Sequence, residues 1–118
     1  MIEELISRIF STRNHAHIMH WATKSFSEHS ALGSFYDSLI DLIDKFVEAY
    51  QGNFGQVGEF KPEDYSKKKD ILDCIEEDIT WMAENREELC NEVCALENIL
   101  DEIVGEYLST RYKLKYLK

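Results

Sequence analysis

Residues 13–52 read RNHAHIMHWATKSFSEHSALGSFYDSLIDLIDKFVEAYQG and hold all four histidines and one of the two tryptophans. The second half of this stretch decides the fold. Leu32, Phe35, Tyr36, Leu39, Ile40, Ile43, Phe46, Val47 and Tyr50 recur at the helical repeat, so they make one broad apolar face of a helix over 31–51. Asp37, Asp41, Asp44 and Glu48 form an acidic row beside that face. Gly52 is the expected C-terminal stop.

The first half of the stretch belongs to a helix over 2–24, whose chemistry changes along a single face. Ile2, Ile6 and Ile9 make an apolar stripe, with Leu5 and Phe10 added for packing. The stripe continues as Arg13, His17, His20 and Lys24, with Trp21 on its flank. Burying cations and imidazoles without partners is costly, so this cluster should face carboxylates, a ligand or water. The plainer reading is a helix that outruns the core and leaves its upper half solvated. Small polar residues from Ser25 to Ser30 predict a turn between the two helices.

Three of the five glycines and the only proline fall in residues 52–66. A connecting loop over 52–62 is expected there, with Phe54, Val57 and Phe60 folding back as a crossover or lid. Pro62, Glu63 and Asp64 suit the first turn of a helix over 63–84, with Ile71, Leu72, Ile75, Ile79 and Met82 turned inward. Asn85 and Glu88 resemble a capping box, which predicts a restart and a last helix over 86–113. Leu89, Val93, Leu96, Leu100, Ile103 and Tyr107 alternate spacings of four and three, a seam suited to antiparallel packing. The whole is an all-α four-helix bundle in one domain, 1–118.

Composition limits the function classes. A net charge of −10 over 118 residues argues against general nucleic-acid binding and leaves DNA mimicry as a minor option. Cys74, Cys90 and Cys94 form no CxxC pair, which suits reduced thiols in a cytoplasmic protein better than a zinc site. No apolar run approaches a bilayer-spanning length and no signal-peptide pattern opens the chain, so no membrane association is expected. No phosphate-binding glycine loop or nucleophile with a paired base is present, so the reading is non-enzymatic. The last ten residues, STRYKLKYLK, reverse the sign of the chain. Arg111, Lys113, Lys115 and Lys118 either offset a helix dipole or seek phosphate, with Tyr112 and Tyr116 as stacking platforms.

His20-Trp21, His29, Asp44 and Glu48 resemble the metal-site spacing of Dps, the DNA-protecting mini-ferritins. That resemblance implies a ferritin-like bundle in a homo-oligomer, with iron held between subunits. An acid expected one turn after the second histidine is replaced here by Gly33, and Asp37 one turn on is the available substitute. The chain is also similar to a family of small uncharacterised phage proteins across His20-Trp21, Phe35-Tyr36-Asp37 and Glu48 to Gly52.

Two ligand readings follow. In the first, Arg13, Lys24, Arg111 and Lys113 hold a small anionic ligand of nucleotide type, such as a cyclic nucleotide. Trp21, Tyr36 or Tyr112 stack on its base, and His17 and His20 donate hydrogen bonds. By analogy with phage proteins that sequester the nucleotide signals of bacterial defence systems, this protein would bind without turnover and need no cofactor. In the second, His20, His29, Asp37, Asp44 and Glu48 bind iron or another transition metal, with ferroxidase activity. Both expect a homo-oligomer. A third reading is an acidic bundle that contacts a host protein.

Overall fold

The computed structural model describes all residues 1–118 and contains four helices and no strand. They are α1 (Ile2–Ala22), α2 (Phe26–Phe54), α3 (Ile71–Cys90) and α4 (Cys94–Tyr116). Each of α1 and α4 packs against both α2 and α3, so α1 and α4 occupy opposite corners of the bundle. His20 meets His29 while Arg13 meets Tyr36, which makes α1 and α2 antiparallel. Thr12 meets Asp78 while His15 meets Cys74, so α3 is antiparallel to α1. Phe35 packs on Tyr107 while Lys45 pairs with Glu102, so α4 is antiparallel to α2. The resulting order is up, down, down, up, with one long crossover between α2 and α3.

The apolar faces read from the periodicity meet in a single core. Leu5, Ile9, Leu32, Phe46, Ile75 and Leu100 are fully buried in it, and Phe35 sets its ring edge against Tyr107 at 5.0 Å. Phe10 and Ile40, expected to pack inward, are instead exposed. Both lie on the outer edge of their stripes, where they border a surface groove.

Helix boundaries depart from the sequence expectation at both hairpins, at both ends of the crossover and at the end of α4. α1 ends at Ala22, and only Thr23 to Ser25 separate it from α2, which starts at Phe26 rather than Ala31. Ser25 caps α2 by accepting the Glu28 N–H, so SFSEHS is mostly a helix start rather than a turn. Gly52 does not stop α2. The helix runs to Phe54, which packs on Tyr50, and Gly55 takes the positive φ that ends it.

Pro62 to Asp64 open no helix, because their surroundings draw the backbone to α1. Glu63 N–H donates to Ser7 Oγ and Tyr65 N–H to Ser11 Oγ, while Ser11 shares its proton between the carbonyls of Ser7 and Glu63. The crossover therefore spans Gly55 to Asp70, and α3 begins only after Asp70 caps it through the Asp73 N–H. At the other end, α3 passes through Asn85 to Cys90. Asn85 donates to the Trp81 carbonyl within the helix, and burial of Leu89 and Cys90 extends the inward face. Asn91 and Glu92, both at positive φ, make the hairpin to α4, which runs on to Tyr116.

One polar group sits inside the core. Asp78 is buried on the inward face of α3. Its Oδ2 accepts from Thr12 Oγ1 at 2.5 Å and Tyr107 Oη at 2.8 Å, and its Oδ1 faces Arg8 Nη1 at 3.4 Å. Arg8 also pairs with Glu4 and lies over the rings of Tyr65 and Trp81. Burial raises the Asp78 carboxyl to about 6, against the opposing pull of its three donors. This knot ties α1, α3 and α4 at one level.

Candidate ligand-binding face

Four of the sequence-selected residues form a ladder on the outer α1/α2 surface. Arg13, His17 and Trp21 follow one another at helical spacing on α1, and Tyr36 stands opposite them on α2. The Arg13 guanidinium lies 5.2 Å from the centre of the Tyr36 ring. His17 stacks on Tyr36 at 3.9 Å, and Trp21 tilts onto His17 at 4.1 Å while remaining 68% exposed. Burial, then the Arg13 charge, then His20 push the His17 imidazole below its usual value, so it is neutral near pH 7. His17 therefore offers hydrogen bonds rather than charge.

Arg13 is the unusual member. Its Nη1 bonds the Asn14 side chain at 3.0 Å, no carboxylate pairs with it, and its Nε is buried without a hydrogen-bond partner. It borders a groove of about 700 Å³ lined by Ile6, Ile9, Leu39, Ile43 and Phe60. Phe60 comes from the crossover, which therefore does lean on the bundle beside the site.

His20 and His29 are paired with each other. Their rings stack at 3.7 Å, and each Nδ1 lies 2.6 Å from the other's backbone carbonyl. A carbonyl only accepts, so both rings carry their proton on Nδ1 and leave Nε2 free. Gly33 is where it is because His20 fills the space: a Cβ there would stand 2.9 Å from His20 Cε1.

The remaining selected residues lie elsewhere. Lys24 is exposed on the turn after α1 and makes no ion pair. Arg111, Tyr112 and Lys113 lie on the last turns of α4, at the corner opposite α1, so within one chain they do not join the Arg13 ladder. Asp37 and Glu48 are exposed along α2, while Asp44, also exposed, lines the same groove as Arg13 without pairing with it. Asp44 follows His29 by fifteen positions, about 22 Å along a helix, so one chain cannot bring both to one ion. No three His, Cys, Asp or Glu side chains gather closely enough to hold a metal within the chain.

Sequence reading missed Asp78 and its donors Thr12 and Arg8, and read Tyr107 only as part of the packing seam. The available signal was an acid on the inward row of Ile71, Ile75 and Met82. Likewise, Ser25 with Glu28 is an S-x-x-E capping pattern that marked the start of α2.

Fold and surface together define a small helical-bundle protein with a half-buried ladder of aromatic rings and imidazole, capped by exposed Trp21, beside an unpaired cation. The chain belongs to the family of unknown function DUF5856, which matches residues 20–114. It is 27% identical over 113 residues to an uncharacterized 14.6 kDa protein of Enterobacteria phage T4, encoded in the mobD-ri intergenic region. That match covers 95% of this chain and 86% of the phage protein. The resemblance to small phage proteins thus holds at the family level. No solved structure matches the chain. No helix is long and apolar enough to cross a membrane.

Proposed function

We propose that this protein binds and sequesters a small anionic ligand of nucleotide type on the α1/α2 face, without turning it over. The observation that carries the reading is Arg13, whose buried Nε lacks any acceptor and whose charge lacks a counter-ion. An unsatisfied buried donor costs about 1–3 kcal/mol, which a phosphate oxygen would relieve. Beside it, Tyr36, His17 and Trp21 offer ring faces to a base, and neutral His17 offers a hydrogen bond. The phage relative supplies only the setting; a sequestering role against host defence follows by analogy with phage proteins that hold such signals.

The test is native mass spectrometry of the purified protein, followed by calorimetric titration with a panel of linear and cyclic nucleotides. A stoichiometric nucleotide is expected, with affinity abolished in the Arg13→Ala, Lys24→Ala double variant. Retained affinity in that variant overturns the reading.

A second reading has its own support. A metal-binding histidine usually anchors its other ring N–H on an acceptor, as both His20 and His29 do, leaving Nε2 to coordinate. The up-down-down-up order with a single crossover is also the connectivity of ferritin-like bundles. On this reading a homo-oligomer brings Asp37, Asp44 or Glu48 of one copy to the histidine pair of another, and iron is bound. Iron retained at a fixed ratio, and lost in His29→Ala with Glu48→Ala, selects it over the first.

A further inference from the structure

Lysines and arginines concentrate toward one end of the 44 Å long axis, where Glu28, Asp70 and Asp73 are the accompanying acids. The end of α1, the start of α2, the start of α3 and the end of α4 converge, with Met19, Glu28, Ile71 and Leu114 lining one cleft. Lys24, Arg111, Lys113, Lys115 and Lys118 lie at that end, and Lys67, Lys68 and Lys69 lead up to it along α1 just before α3; together they are eight of the thirteen lysines and arginines. Only Lys69 and Lys115 among them are paired, with Glu77 and Glu76. The opposite end holds the start of α1, the end of α2 and the α3–α4 hairpin. Glu3, Glu87, Glu88 and Glu92 are exposed there without ion pairs, and the nearby Arg86 is committed to Asp101 and Glu97.

Each end also exposes apolar surface. Tyr112 and Tyr116 stand 54% and 73% exposed beside Leu117 at the basic end, and Met1 and Phe54 are exposed at the acidic end. Scattered apolar residues need no explanation, but aromatic residues one turn apart among unpaired cations make a contact surface. We infer that the basic, tyrosine-bearing end of one copy docks on the acidic end of a second copy. The contact is head-to-tail, so it joins unlike surfaces and propagates into a ring or a short fibre. A second copy is the partner whose charge and apolar residues are both present in this chain; a nucleic acid could pair with the lysines and stack on the tyrosines but would be repelled by the net −10.

Sedimentation analysis at low salt and at about 0.5 M salt, where charge attraction is largely screened, tests this. The wild type should exceed monomer mass at low salt and lose at least tenfold in association constant at high salt. Lys113→Glu with Lys118→Glu, and separately Glu87→Lys with Glu92→Lys, should each lose the assembly while keeping the wild-type circular dichroism. Mixing the two variants should restore association, because the reversed basic end then meets the reversed acidic end. A wild type that is monomeric at low salt overturns the inference, as does an assembly mass that neither reversal changes. A labelled single-stranded oligonucleotide bound by the wild type and lost in the first variant, with self-association intact, assigns the basic end to nucleic acid instead.

Discussion

His20 and His29 clasp each other: each donates its Nδ1–H to the other's carbonyl, and the two rings stack at 3.7 Å. The clasp supplies a donor to the His20 carbonyl in the open last turn of α1 and a second donor to the His29 carbonyl in the first turn of α2, so it ties the two helices across the turn beside the Arg13 ladder.

Gly33→Ala tests the clasp from its neighbour. The added methyl would stand 2.9 Å from His20 Cε1, and the ring cannot retreat without giving up its bond to His29. The helix itself tolerates alanine better than glycine. Thermal unfolding should nevertheless show a net loss of about 1 kcal/mol, and the His20 and His29 ring resonances should move. Unchanged resonances together with a raised Tm would show that the clasp carries no stability.

Asp78 makes stability depend on pH in the sense opposite to an ordinary ion-paired acid. Its folded-state value is raised to about 6, so the folded state binds the proton more tightly than the unfolded chain does. Above pH 6 the buried charge is carried in full; as pH falls from 6 toward 4 that cost disappears and the folded state gains, by about 2–3 kcal/mol. Glu76, held low by its bond to Lys115, and Asp64, held low by Ser66, act in the other direction and lose their contributions as pH falls below about 4. Urea unfolding of the wild type and Asp78→Asn at pH 4.5, 5.5 and 7 isolates the term. The difference between the two proteins should shift in favour of Asn by about 2 kcal/mol between the lowest and highest pH. A constant difference would place the titration elsewhere.

Periodicity was sufficient for the four helices because each buries a stripe of Leu, Ile or Phe at helical spacing, and that signal averages over many residues. Ends were harder, since they turn on single bonds to distant elements. Pro62 to Asp64 carry a good helix-opening pattern, but their backbone donors go to Ser7 and Ser11, more than fifty positions away. Arg13, His17, Trp21 and Tyr36 could be grouped from sequence because spacing on α1 and the α1/α2 pairing place them together. His20 and His29 resembled metal ligands by interval alone; their mutual bonds depend on the three-residue turn, which composition did not reveal. Arg111 to Lys113 shared a charge with Arg13 but not a corner of the bundle.

The Ser7–Ser11 pair pins the crossover, and with it Phe60, which lines the groove. Ser11→Ala removes the acceptor for the Tyr65 N–H and the donor to Glu63. Stability should fall by about 1–2 kcal/mol. More specifically, hydrogen exchange at the Glu63 and Tyr65 amides should accelerate while that of the α4 core stays as it was. If ligand binding uses the groove, affinity should fall in the same variant. Uniform acceleration across the bundle would mean that Ser11 supports the core rather than the strap.

The three thiols should differ in reactivity. Cys74 is buried, and burial followed by Asp78 pushes its thiol up to about 11; its Sγ meets His15 Nδ1 at 3.6 Å without being activated. Cys90 is buried and raised by the same dominant cause. Cys94 is exposed in the first turn of α4. A thiolate is the reactive form, so exposure and a low proton affinity together set the rate. Under native conditions near pH 8, a thiol reagent should label one cysteine per chain quickly, and peptide mapping should place it at Cys94. In denaturant all three should react. Fast native labelling of Cys74 would mean that the α1–α3 contact opens on the labelling timescale, and the Asp78 knot beside it would then be a mobile element rather than a fixed one.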